Sequence, residues 1–319
     1  MPELPEVETI TRGLAKRVTG DVVESVWLGQ KKETLKSPAA EIAAALEQSR
    51  IAAVRRMGKH IVFDLEQPHV ARALPSTSSG QALPAKSRGS NGETKRTALS
   101  TRSSSTAPAA AGESARATPP KAQWIVHLGM TGSLRVCEPQ TEVVKHTHAI
   151  LRLSSGRELR FVDPRRFGRL SVAQNADFDA GGIEPLEVDL DRFVALFHRR
   201  KTPIKSALLN QSLLRGVGNI YADESLFRAG IRPRRRASAI TRDQLGKLYL
   251  TVKEVLKEAI ALGGSSISDY VGADGEEGFF QLQHRVYGRE GEPCLVCKTP
   301  IKRVVIAGRS SHYCPKCQK

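Results

Sequence analysis

Four cysteines near one end of the chain have the spacing of a metal site. Cys294-Leu295-Val296-Cys297 is followed, after sixteen residues, by Cys314-Pro315-Lys316-Cys317. Each Cys-x-x-Cys pair offers two thiolates from one tight turn, and a hairpin between the pairs closes a tetrahedron around one Zn2+ ion. A closed shell of four thiolates leaves no open position for water, so such an ion is structural and the chemistry must come from elsewhere. The other end of the chain offers it. Removal of Met1 ahead of the small Pro2 would expose a secondary amine on a rigid ring. An α-amino group titrates near about pH 8, so a fair fraction is neutral at neutral pH. A neutral amine can attack an aldehydic carbon and form a Schiff base. Glu3 and Glu6 stand beside it and could move protons. The plainer reading is a routine N-terminus whose acids favour a helix start.

Charge points to the partner. Among 319 residues, 49 Lys and Arg stand against 33 Asp and Glu, a net charge of +16. That balance favours a polyanion, because each phosphate contact releases condensed counterions. Length suggests about two domains. Of five cysteines, four are committed to metal, which argues for a reducing compartment and leaves Cys137 as an ordinary thiol. There is no apolar run of transmembrane length, and the N-terminus has neither the basic region nor the apolar core of a signal peptide. A soluble cytoplasmic protein is expected.

Elements must position these groups. Val7, Ile10, Leu14 and Val18 recur at helical spacing, predicting a helix over 5–20. Strand-like runs follow at 22–28, 51–55 and 60–65, with an Ala-rich helix near 38–48. Further strands are expected at 124–128, 133–136, 149–153 and 158–162, the last two joined by a Ser154-Ser155-Gly156 turn. Between these groups, Ser, Thr, Ala, Pro and Gly supply 38 of the 55 residues of 68–122. Such a segment buries too little apolar surface to offset its ordering entropy and is expected to be disordered. Its net charge of +6 leaves open a neutral loop or a basic tether.

From about 188 the periodicity is helical, over 190–198, 204–210, 221–229 and 241–262. Gly216-Val217-Gly218-Asn219 leads into the third of these helices. It is either a plain turn or, beside Arg215, Lys205 and His198-Arg199-Arg200-Lys201, a set of free amides for a DNA phosphate.

The opening Met1-Pro2-Glu3-Leu4-Pro5-Glu6-Val7-Glu8-Thr9 resembles the start of the bacterial formamidopyrimidine-DNA glycosylases. The resemblance continues, in family order, through 56–60 (Arg-Met-Gly-Lys-His), 127–134, Asp163-Pro164-Arg165-Arg166-Phe167-Gly168, 216–227, Val286-Tyr287-Gly288-Arg289 and the cysteine hairpin. It covers nearly everything outside 68–122, which is the main departure. It implies a multidomain α+β fold: an N-terminal β-sandwich with a capping helix (1–180, carrying the insertion), a helical helix–two-turn–helix domain with a lesion-recognition loop (181–280), and a C-terminal zinc-finger hairpin (281–319). Gly263 to Phe280 resembles that loop, with a flexible linker as the alternative.

The resemblance also implies roles. Pro2 would attack the sugar C1′ as a damaged base leaves, Glu3 would be general acid/base at the ribose, and Glu6 would order the site. Lys59 would contact phosphate and donate a proton in β-elimination, and Arg309 would grip the lesion's phosphate and support δ-elimination. Met130, Arg165 and Phe167 resemble the wedge that fills the gap after base flipping. His146, Arg200, Lys205 and Asn219 match DNA-backbone contacts.

The implied activity is excision of oxidised purines (8-oxoguanine and formamidopyrimidines) from damaged duplex DNA, followed by strand cleavage. The implied setting is a monomer with one structural zinc and no inferable protein partner, in the bacterial cytoplasm at the nucleoid. Two alternatives differ in kind. An endonuclease VIII type would prefer oxidised pyrimidines, and its start typically reads Pro-Glu-Gly-Pro-Glu, whereas Leu4 follows Glu3 here. A noncatalytic damage sensor would have no need of an N-terminal secondary amine.

Overall fold

The computed structural model describes residues 1–29, 33–67, 122–174, 177–265 and 278–319. The chain order is α1 (Leu4–Val18), β1 (Val23–Leu28), α2 (Ala39–Leu46), β2 (Arg50–Met57), β3 (His60–Glu66), β4 (Ala122–His127), β5 (Ser133–Cys137), β6 (Thr147–Leu153), β7 (Glu158–Val162) and β8 (Arg169–Gln174). Then come α3 (Leu190–Phe197), α4 (Ile204–Leu208), α5 (Asn219–Arg228), α6 (Arg242–Ala261), β9 (Lys302–Ile306) and β10 (Arg309–Tyr313).

The strands build two antiparallel four-stranded sheets, ordered β1-β6-β7-β5 and β2-β3-β4-β8. Residues two apart point to one face of a strand. Ile61, Phe63 and Leu65 of β3 therefore share a core with Trp124 and Val126 of β4 and with Leu151, Leu153, Leu159 and Phe161 of the other sheet. The Phe63 and Trp124 rings lie 4.8 Å apart. Helix α1 adds Val7, Ile10, Leu14 and Val18, all essentially inaccessible to water. Each such side chain contributes roughly 1.5–3 kcal/mol.

Leu4, the first residue of α1, is buried in a different core. It packs with Leu214, Val217, Tyr221 and Phe280, within a cluster to which α3, α4, α5 and α6 all contribute. The N-terminal residues are therefore held where the strand-rich and helical cores meet. Helix α6 begins with a reciprocal cap: Thr241 Oγ1 accepts the Gln244 amide at 3.3 Å, and the Thr241 amide donates to Gln244 Oε1 at 3.2 Å.

Two neighbouring acids on α5 hold the C-terminal hairpin. Glu224 accepts backbone amides from Arg285, Val286 and Tyr287 at 2.8 to 3.0 Å. Asp223 accepts the Ser311 hydroxyl at 2.9 Å and the His312 amide at 2.8 Å. Both acids are fully buried, and buried carboxylates persist only when so satisfied.

The expected strands and helices form, with ends shifted by one or two residues. Strand β8 is additional to the sequence reading, which stopped at the motif ending in Gly168. It alternates polar and apolar over only Arg169 to Val172, and it is fixed by pairing with β4, from Ala122↔Gln174 to His127↔Arg169. Composition places Ala122 at the end of the insertion. It instead opens β4, opposite Leu65 of β3. The insertion thus connects two paired strands; the expected disorder lies outside the described residues, as does most of the expected lesion-recognition loop. Among the described residues, no helix is long and apolar enough to cross a membrane.

Candidate functional site

The Leu4 amide donates to Gly216 O at 3.0 Å, pinning the N-terminus onto the turn before α5. Gly216 has φ +90°, and a Cβ there would lie 2.7 Å from Leu4 Cδ1. At Gly218 a Cβ would fall 2.0 Å from the Glu3 carboxyl carbon. Only glycine fits either position. The Gly-x-Gly-Asn turn, which the sequence allows as a plain turn or as a phosphate site, is the seat of Glu3. The Ile220 amide reaches Glu3 Oε1 at 3.4 Å, so the positive end of α5 points at a carboxylate of the chain itself.

Glu3 is 5% exposed, and its Oε2 has no hydrogen-bond partner. Burial pushes its pKa up to about 7. Lys59 opposes the rise, Glu6 adds to it, and the Ile220 and Asn219 amides oppose it. A carboxyl poised near neutrality can both give and take a proton. Its neighbour Glu6 is an organiser. Oε2 accepts the Glu3 amide at 2.8 Å, and Oε1 accepts the Ser265 amide at 2.8 Å and the Tyr221 hydroxyl. One carboxylate thereby joins the start of α1 to α5 and to the loop after α6.

Lys59 occupies the tip of the β2–β3 hairpin, where Gly58 adopts φ +60° and Met57 pairs with His60. Burial lowers the Lys59 pKa; Glu3 and Glu6 counter this, and Arg309 adds to the lowering. Arg56 braces the hairpin from behind. Its guanidinium binds Glu8 and Glu184, each at 2.7 Å, and the Gly58 carbonyl at 3.1 Å. Arg309 opens β10 after the two-residue turn Ala307-Gly308, at φ 47° and 75°. Pro2, Glu3, Glu6, Lys59, Met130, Asn219 and Arg309 all line one cavity of about 440 Å³, a size in the usual range for small-molecule sites.

The loops carrying Met130 and Arg165–Phe167 abut, because a Cβ on Gly129 would lie 2.5 Å from the Gly168 amide nitrogen. Asp163, fully buried, ties them together. Its Oδ1 accepts the Thr131 hydroxyl at 2.6 Å and the Arg165 amide at 3.3 Å, and its Oδ2 accepts the Gly168 amide at 2.7 Å. Met130 is 40% and Phe167 46% exposed, unusual for such side chains. The Arg165 guanidinium lies 5.1 Å from the Phe167 ring centroid.

His146 is exposed at φ 69°, its carbonyl accepting the Asp163 amide at 3.0 Å. Arg200 is exposed just beyond α3. Asn219 Nδ2 lies 3.4 Å from Ser310 Oγ, and its buried Oδ1 has no partner. Lys205 departs from expectation. It is 0% exposed, its ammonium 2.7 Å from Asp223 and 2.6 Å from Ser310 O. Its charge is met by Asp223 inside the joint between α5 and the hairpin. Asp163 and Arg56 stand inside the family motifs without a local signal of their roles, and so does Gly218 as a seat for Glu3. Each acts through contacts that cross long stretches of chain.

The four cysteine sulfurs lie within 4.8 Å of one another. The Cys294–Cys317 and Cys297–Cys314 sulfur separations are 3.9 and 3.4 Å. Tetrahedral thiolates around zinc, with Zn–S about 2.3 Å, stand roughly 3.8 Å apart. The donors therefore fit, and they form the cage of one structural zinc ion. Cys297→Ser should lower bound zinc and weaken duplex binding, because metal binding supplies folding energy to such a hairpin. Metal analysis and fluorescence anisotropy check this, and undiminished binding by a zinc-free variant would contradict it.

Three family models match. They are the formamidopyrimidine-DNA glycosylase N-terminal domain over residues 1–170, the formamidopyrimidine-DNA glycosylase H2TH domain over 182–271, and a zinc finger found in FPG and IleRS over 291–319. The chain is 41% identical over 322 residues to a formamidopyrimidine-DNA glycosylase of Solibacter usitatus, covering 100% of both. It resembles the Lactococcus lactis FPG in complex with DNA containing FAPY-dG, with TM-score 0.76, 26% identity, and 99% of this chain and 100% of that one covered. It also resembles a MutM in complex with DNA containing carbocyclic 8-oxo-G, with TM-score 0.77, 27% identity, and 100% of both chains covered.

Proposed function

The chain belongs to the formamidopyrimidine-DNA glycosylase family, and from that premise we propose how its own residues divide the reaction. The protein is a DNA glycosylase with abasic-site lyase activity, and it excises oxidised purines from damaged duplex DNA. The observation that carries the division of labour is the convergence of Pro2, Glu3, Lys59 and Arg309 on one cavity, with Met130 in its wall.

A base inside a duplex is unreachable, so the nucleotide must leave the stack at a cost of about a few kcal/mol. Met130 and Phe167 enter the gap and partly offset that cost. Arg165 hydrogen-bonds the orphaned partner base. His146, Arg200 and Asn219 hold the backbone. The Pro2 nitrogen, free once Met1 is removed, attacks C1′. The C1′–N bond breaks and the base departs with the electron pair, taking up a proton. Glu3 protonates the ribose ring oxygen as the sugar opens, leaving an iminium between Pro2 and C1′. Loss of a C2′ proton then expels the 3′-phosphate, with Lys59 donating a proton. Arg309, on the lesion's phosphate, supports the second elimination at the 5′ side. The zinc ion keeps the hairpin that carries Arg309 folded.

We assign the domains to 1–180, 181–280 and 281–319, and the site of action to nucleoid DNA, with the monomer as the working unit.

Borohydride reduction tests the substrate class. An 8-oxoguanine:cytosine duplex should give a covalent adduct, and a dihydrothymine duplex little or none. An adduct on the pyrimidine lesion alone would move the protein to the endonuclease VIII type. Tight binding with no adduct on either would leave a damage sensor.

A further inference from the structure

We propose that Arg199-Arg200-Lys201 and Arg234-Arg235-Arg236 together form one phosphate-binding ridge that grips duplex DNA outside the lesion, beside the zinc hairpin. The inference rests on the glycosylase reading above and extends its DNA interface to a turn that no catalytic step uses.

Backbone bonds bring the two segments side by side. The Ser238 amide donates to Arg200 O at 2.8 Å, Ala237 to Thr202 O at 3.0 Å, and Ile204 to Arg235 O at 2.8 Å, around an antiparallel bridge between Pro203 and Arg236. Six cations are thereby gathered on two adjacent strands of chain. Five are exposed, and Arg235 is half-buried. Among the described residues, none of the six has a carboxylate within ion-pair distance. Arginines elsewhere, such as Arg56 and Arg228, are paired with acids. Uncompensated like charges repel one another, and a polyanion relieves that repulsion.

The ridge is continuous with the reaction site. The Arg234 guanidinium donates to Val305 O at 3.3 Å. Val305 pairs with Ser310, and Ser310 adjoins Arg309 in the cavity wall. The surface is also built rather than loose. Arg199 holds a left-handed φ of 61°, the next amide bonds Phe197 O at 3.2 Å, and Pro233 stiffens the second segment. A rigid row of arginines suits the regular phosphates of a duplex and reads no base. Family resemblance had singled out only Arg200 of the six.

Salt dependence of binding to an undamaged duplex is the test. Each phosphate contact contributes about −0.9 to the slope of log K against log[salt]. The double variant Arg234→Gln, Arg236→Gln should make the slope shallower by about 2 and weaken binding on the order of tenfold at 0.1 M salt. Arg199→Gln with Lys201→Gln should do the same from the other segment. The control, Lys247→Gln with Lys257→Gln, removes equal charge from exposed positions of α6. Zinc content and melting temperature establish that each variant is folded. An unchanged slope in both ridge variants, or an equal change in the control, overturns the proposal. Wild-type excision of 8-oxoguanine is measured in parallel, so failure of the glycosylase reading would appear separately.

Discussion

Pro2→Gly should lose base excision by about 10²-fold or more while binding duplex DNA almost as tightly as the wild type. Glycine keeps an amine, but a primary one on a chain free to rotate. The wild-type nitrogen sits in a ring, two residues from a Leu4 amide locked to Gly216 O at 3.0 Å. A nucleophile misplaced by about 1 Å can cost two orders of magnitude. Binding should survive because Arg165, Arg200 and the hairpin lie on other elements. Single-turnover base release and anisotropy on one 8-oxoguanine duplex separate the two effects. Full excision by the variant would move the nucleophile off the N-terminus.

Glu3→Gln should cost on the order of 10²–10⁴ in excision, the range for a lost general acid or base. It should also make the protein more stable at alkaline pH. Glu3 has a pKa near 7 when folded, against an ordinary value of 4.5. A raised carboxyl pKa favours folding below the unfolded value and loses that advantage as pH rises through the folded one. Between 4.5 and about 7 the loss is roughly 3 kcal/mol, and it persists above. Glutamine never ionises and escapes it. Melting curves should show the variant clearly more stable than wild type at pH 8 and little different at pH 5. Equal stabilities at pH 8 would remove the burial account of the Glu3 pKa. In the wild type, excision should decline as pH rises through and above about 7, where Glu3 loses its proton, and Glu3→Gln should lack that limb.

The parts of this protein legible in its sequence are those governed by local spacing. Cysteine intervals specify the metal cage, and Val7, Ile10, Leu14 and Val18 announce a helix before any partner is known. Motif order points to the family and to Pro2, Glu3, Lys59 and Arg309, four residues that line one cavity. The parts that were not legible depend on residues far apart in the chain. Gly218 is a glycine because Glu3 lies against it, 215 positions away. Lys205 looks like a surface cation beside a basic run, and only the acid one helix further on, at 2.7 Å, makes it an interior residue. Asp163 reads as a turn residue until Thr131 and Gly168 are seen to close on it. Strand β8 alternates over only four residues, too short a pattern to stand out without its pairing to β4.

The reaction site also has an order of manufacture. The amine of Pro2 leaves the ribosome first. The glycines and amides that seat Glu3 come more than two hundred residues later, and Arg309 more than three hundred. Domains fold as they emerge, so the strand-rich half can be complete while its nucleophile still faces an unfinished wall. A product broken off before Arg309 would carry the proposed nucleophile without the residue assigned to the second elimination. On the proposed assignment, the second elimination therefore waits for a residue made more than three hundred positions after the nucleophile.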